Sequence, residues 1–193
     1  MNRRLPRSKA KSRGYNAVEV LMAMTVFAIG ASGVISMQKT SVQANYDART
    51  LDVATALART WQERLARDAM SWRTPTAFTG TVYLVQMNSN PDWFVPTVQT
   101  TAGGRIEGGS PAFDLLGRDV PINDASMIFC TQIRLRRLGT SNTLLRAEVR
   151  VIWPRANAAP IATCANVAVN PAVANVNARP HVLSTVKSVR VTL

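Results

Sequence analysis

Arg13-Gly14-Tyr15-Asn16-Ala17-Val18-Glu19-Val20-Leu21-Met22-Ala23 is the stretch on which the reading of this chain turns. A basic leader ends at a glycine, and an apolar run follows with a single acid, Glu19, near its start. Residues 20–38 are 19 in number and none is charged. About 20 apolar residues let a helix cross the ~30 Å hydrocarbon core of a bilayer. A carboxylate at the centre of such a helix costs ~2.5–3.5 kcal/mol on insertion scales, so Glu19 calls for a partner. A cut after Gly14 would place a new α-amino group, that of Tyr15, about one helical turn from Glu19. That amine, in the same chain or in a neighbour, is the natural counter-charge.

Two other readings compete for the stretch. A secretory signal would be cut near Ala28-Ile29-Gly30 or Ala31-Ser32-Gly33, but this apolar run exceeds the ~7–15 residues of a signal core and has an acid at its head. A plain single-pass anchor leaves the cost of Glu19 unexplained. The combination of basic leader, glycine, aromatic residue, acid four positions later and long apolar helix resembles a type IV prepilin signal. The resemblance implies cleavage after Gly14 and methylation of the amine of Tyr15 by a prepilin peptidase, with Glu19 acting in assembly. The chain departs from the commonest form at Tyr15, Asn16 and Ala17, where Phe, Thr and Leu are usual.

Charge supports the same topology. Of 23 basic residues, six (Arg3, Arg4, Arg7, Lys9, Lys11 and Arg13) precede Gly14, and none of the 11 acids does. The formal charge of +12 therefore becomes +6 once the leader is gone. A basic leader holds the N-terminus in the cytoplasm and sends the remainder across the inner membrane. High overall charge is thus a topology signal, and it does not argue for nucleic acid as a partner. Cys130 and Cys164 would both lie outside the cytoplasm, where a disulfide is the default.

The absence of proline between Pro6 and Pro75 lets one helix run from about residue 16 to 70. Gly30 and Gly33, with Ala28, Ala31 and Ser32, form a small-residue patch suited to close helix approach. Beyond Lys39 the helix becomes amphipathic. Val53, Leu57, Trp61 and Leu65 recur every four residues beside Ala54 and Ala58, a stripe expected to dock on a sheet. Asp47, Arg49, Asp52, Arg59, Glu63, Arg64 and Arg67 include the charges of the more solvated faces. The run Ala54-Thr55-Ala56-Leu57-Ala58…Glu63-Arg64 is similar to the helix of the minor pilins called PilV. Major pilins usually carry a proline near the position of Ser36-Met37, and its absence here points to a minor component.

Downstream, short strands are expected at 81–87 and 93–99, then a glycine-rich connector containing Gly103, Gly104, Gly108 and Gly109. That connector lacks the spacing of a phosphate-binding loop. Period-two alternation predicts strands over 127–138 and 144–153, joined as a hairpin through Gly139-Thr140-Ser141-Asn142. Residues 155–180 read as a loop with His181 at its end, and 182–193 as a last strand of undecided register. Arg134, Arg136, Arg146 and Arg150 share an outward sheet face that could meet phosphates, although with Glu148 among them a solvated face is the simpler expectation.

No catalytic motif and no metal-ligand spacing accompany the single histidine, so neither an enzyme nor a cofactor is expected. The expected fold class is α+β and pilin-like: a long N-terminal helix whose outer half packs on a small antiparallel β-sheet. The segments are a removed leader (1–14), a transmembrane or filament-core helix (15–38), its amphipathic continuation (39–70) and a sheet head (71–193). By resemblance the protein is a minor pilin that primes or tips a type IV pilus. A minor pseudopilin of a type II secretion system is the alternative, with a DNA-binding or receptor subunit behind it. The implied partners are other minor and major pilins, the prepilin peptidase, the inner-membrane assembly platform and membrane lipid. The head would be periplasmic before the subunit enters a filament.

Overall fold

The computed structural model describes residues 16–73, 78, 80–88, 92–96, 99–100, 106–107, 109–139, 144–155, 161, 164 and 180–190. Gly14 and Tyr15 lie outside this set, as do most of the 155–180 loop and Gly103, Gly104 and Gly108 of the connector.

One helix, α1 (Ala17–Ala69), dominates the fold. The carbonyl of Asn16 accepts from the N–H of Glu19 at 2.9 Å and opens it, while Glu19 in the first turn and Arg67 in the last complement the helix dipole. Hydroxyls within the apolar half bond back to carbonyls of the preceding turn, as in Thr25 to Met22 at 2.8 Å and Ser32 to Ile29 at 2.8 Å. Those bonds satisfy polar side chains without needing water.

The chain divides into two compact units, Met1–Asn45 and Tyr46–Leu193. In the first, every described residue except Ala31 is exposed, including Phe27 at 77% and Met37 at 78%. This part of α1 is long and apolar enough to cross a membrane.

In the second unit, the outer part of α1 packs on a five-stranded antiparallel sheet. The strands are β3 (Ala112–Phe113), β4 (Asp119–Val120), β5 (Phe129–Arg137), β6 (Leu144–Trp153) and β7 (His181–Arg190), in the spatial order β4-β3-β5-β6-β7. A separate ribbon pairs β1 (Gln99–Thr100) with β2 (Ile106–Glu107). The arrangement is α+β, a long N-terminal helix on a small antiparallel sheet, and it is compatible with a pilin-like shape. Phe129, Ile133 and Leu135 of β5 and Leu145, Ala147, Val149, Val151 and Trp153 of β6 form the core with the helix stripe. The register Leu145↔Val189 and Val151↔Leu183 sets Leu183, Thr185, Lys187 and Val189 on the helix side of β7.

Several local expectations are corrected. In place of a strand at 81–87 there is a 3₁₀ helix, Leu84–Asn88, because the Asp68 carboxylate takes N–H groups that a strand would need. In the 93–99 segment, Phe94 makes an isolated bridge to Ile133, and of the described residues Gln99 alone lies in a strand. Met127 precedes β5, after the turn in which its N–H bonds the carbonyl of Asp124, and it packs in a second cluster with Ala112, Cys130 and Cys164. His181 opens β7 opposite Trp153 and stacks on that indole at 5.3 Å.

Candidate functional site

Three regions carry the residues singled out from the sequence, and each is built differently. On the first unit, Glu19 sits in the opening turn of α1 and, with Val20, Ala23, Met24 and Phe27, lines a shallow groove on the helix surface. Its carboxylate is exposed and has no ion-pair partner among the described residues. Gly30 and Gly33 lie further along the same helix, and a methyl group at either would meet nothing within 4 Å.

The second region is the docking stripe. Leu57, Trp61 and Leu65 are buried, Trp61 and Leu65 completely, while Val53 is half-buried at the rim. Trp61 meets Tyr83 edge-on at 5.2 Å, and burial raises the phenol pKa of Tyr83, with Arg64 opposing and Asp68 adding to the rise. Arg64 is folded against the protein, its side chain only 17% exposed. Its guanidinium lies over Trp61 at 5.0 Å and reaches Asp119 at 3.5 Å.

Asp68 extends the stripe by one more turn and was not legible as part of it. Its carboxylate accepts from the N–H groups of Val82 at 2.6 Å, Tyr83 at 2.8 Å and Leu84 at 2.8 Å. An anion suits three converging amides, and the ion here is a side chain of the protein itself. The available signal was a lone acid three positions after Leu65, at core spacing.

The third region is the outer sheet face. Arg134 grips Glu148 through both Nε, at 2.7 Å, and Nη2, and Arg146 Nε reaches the other Glu148 oxygen at 2.6 Å. Glu148 is 4% exposed, so this acid is buried by the cations it neutralises. Arg150 donates to the Gln132 side-chain oxygen, whose amide nitrogen donates in turn to the carbonyl of Cys164 at 3.0 Å. Burial lowers the Arg150 pKa, with Asp92 opposing. Trp93 lies against both guanidiniums, 4.8 Å from that of Arg134 and 4.2 Å from that of Arg150. Of the four arginines, only Arg136 and Arg146 present exposed side chains, directly opposite each other in the register. Alternation puts Gln132 on the face of Arg134 and Arg136, but it reveals neither the bonds of Gln132 to Arg150 and Cys164 nor the Trp93 ring that a distant loop lays over the face.

Cys130 and Cys164 are joined in a disulfide, 34 positions apart and fully buried. Closing a loop of that length contributes ~4 kcal/mol by the chain-entropy estimate. Among the described residues no group of three or more His, Cys, Asp or Glu side chains could hold a metal ion. Compared with protein families, curated proteins and solved structures, the chain matches none.

Proposed function

We propose that this protein is a minor type IV pilin of the PilV kind, a structural subunit that primes or tips a pilus. The observation that carries the reading is an acid without an ion-pair partner among the described residues, at the head of an apolar helix with exposed sides. Lipid and a bundle of like helices bury such a surface equally well, so the helix is suited to both. After cleavage at Gly14, the amine of Tyr15 supplies the cation for Glu19 and sets the axial register between neighbouring subunits. The prepilin peptidase, major and minor pilins and the inner-membrane assembly platform are the partners this function requires. The sheet unit would then lie on the periplasmic side until assembly.

Mass spectrometry of the mature protein tests the reading. A methylated N-terminus at Tyr15 is expected, whereas a start at Gly33 or Val34, or a retained leader in a working protein, overturns it. Glu19→Ala should leave membrane insertion intact and impair filament incorporation; normal incorporation removes the pairing role. Deleting the gene should reduce twitching motility, and loss of protein secretion instead would move the protein to a type II secretion machine.

A further inference from the structure

β7 ends the sheet, with β6 on one side and no strand on the other among the described residues. It is ten residues long and contains no proline, so alternate residues turn N–H and C=O groups toward an edge that pairs with no described strand. Natural sheets shorten, bend or cover such an edge or place a charge on it, and β7 carries Lys187, which bars apolar and basic strands. We infer that this edge of β7 receives an extended segment of another protein chain, apolar on one face and bearing a carboxylate on the other. The inference goes beyond the pilin reading and does not depend on it.

The two faces of β7 specify the occupant. On the face away from α1, Val182 and Val186 are 39% and 52% exposed, with exposed Ser184 between them. An added strand would lay alternate apolar residues beside those valines. On the helix side, Lys187 is exposed and lines a pocket with Ala66, Ala69, Met70 and Trp72. Salt bridges among the described residues leave Lys187 without an acid. A strand presenting an apolar or basic residue there would crowd or desolvate the ammonium, whereas one presenting Asp or Glu would pair with it.

Charge also argues against a second copy of the same strand. His181, Lys187 and Arg190 are the charged or titratable residues of β7, and no acid accompanies them. Two copies would gather cations along one seam. The backbone therefore supplies affinity for any extended chain, and Lys187 selects among sequences.

The test uses the full chain in detergent micelles and three dye-labelled nonapeptides, read by fluorescence anisotropy. The first alternates threonine and valine with a central glutamate. The second replaces glutamate with lysine, and the third is the glutamate peptide N-methylated at every second residue. The glutamate peptide should bind, the lysine peptide about fivefold more weakly, and the methylated peptide at least about tenfold more weakly. Lys187→Glu, an exposed substitution checked for unchanged thermal unfolding, should reverse the preference between the first two. Equal binding of the methylated peptide, or no binding of the glutamate peptide at millimolar concentration, overturns the inference. A dimer of the chain cross-linked through Ser184→Cys would assign the edge to a second copy and overturn it as well.

Discussion

A methyl group at position 109 would lie 2.0 Å from Nη1 of Arg64: the guanidinium of α1 occupies the space that any side chain on Gly109 would need. Gly109 also holds a φ of 111°, which L-residues rarely adopt. The same arginine spans Trp61 and Asp119, and Asp119 accepts the N–H of Ser110 at 2.8 Å. One glycine thus lets the helix and the β3–β4 region close around a largely buried charge.

Gly109→Ala should therefore cost about 2–3 kcal/mol, combining backbone strain with displacement of the flexible Arg64 guanidinium from Trp61 and Asp119. Gly139→Ala is the control: φ is 72° there but nothing lies within 4 Å, so backbone strain alone, about 1–2 kcal/mol, is expected. Denaturant unfolding of the two variants in detergent checks the difference. In a double-mutant cycle, Arg64→Ala should recover part of the Gly109→Ala loss.

Trp61→Ala should be the most damaging truncation in the helix stripe, about 3–5 kcal/mol, because the indole is fully buried against Tyr83. Val53→Ala, at the half-buried rim, should cost below about 1.5 kcal/mol. Equal effects in thermal unfolding would contradict this packing gradient.

Asp68→Asn keeps the shape of the side chain but removes the charge that three N–H groups address. A loss of about 1.5–3 kcal/mol is expected. Amide exchange at Val82, Tyr83 and Leu84 should quicken together, since one carboxylate holds all three; independent changes would show that the segment is held by something else.

Asp114 yields a pH prediction. Burial pushes its carboxyl up, but hydrogen bonds from the Arg118 amide, the Arg118 side chain and the Leu116 amide outweigh burial and hold it below the usual 3.8. A carboxyl lowered in the folded state stabilises fully above its unfolded value and loses that contribution as pH falls through the folded one. The wild type should accordingly lose stability below about pH 4 more steeply than Asp114→Asn in acid titrations followed by circular dichroism. Matching acid limbs would refute the assignment.

How much was legible can be judged from particular residues. The helix bounds follow from the proline-free run between Pro6 and Pro75, and β6 and the stripe through Leu57, Trp61 and Leu65 follow from periodicity, because a helix or strand buries a face at a fixed repeat. Asp68 and His181 escaped for the same reason: a repeat marks a position as facing inward or outward but does not say which distant group meets it.

The outer sheet face marks that boundary most clearly. Alternation within each strand, with the hairpin that joins them, determined that Arg134, Arg146, Glu148 and Arg150 share one side, since successive side chains in a strand point opposite ways. Register then set Arg134 opposite Glu148, and the 92–96 segment brought Trp93 over the guanidiniums. The apolar helix with its lone acid is encoded in consecutive residues, where covalent neighbours decide the pattern. The pairing of charges and the cover over the sheet depend on segments tens of residues apart, and only the folded chain brings those together.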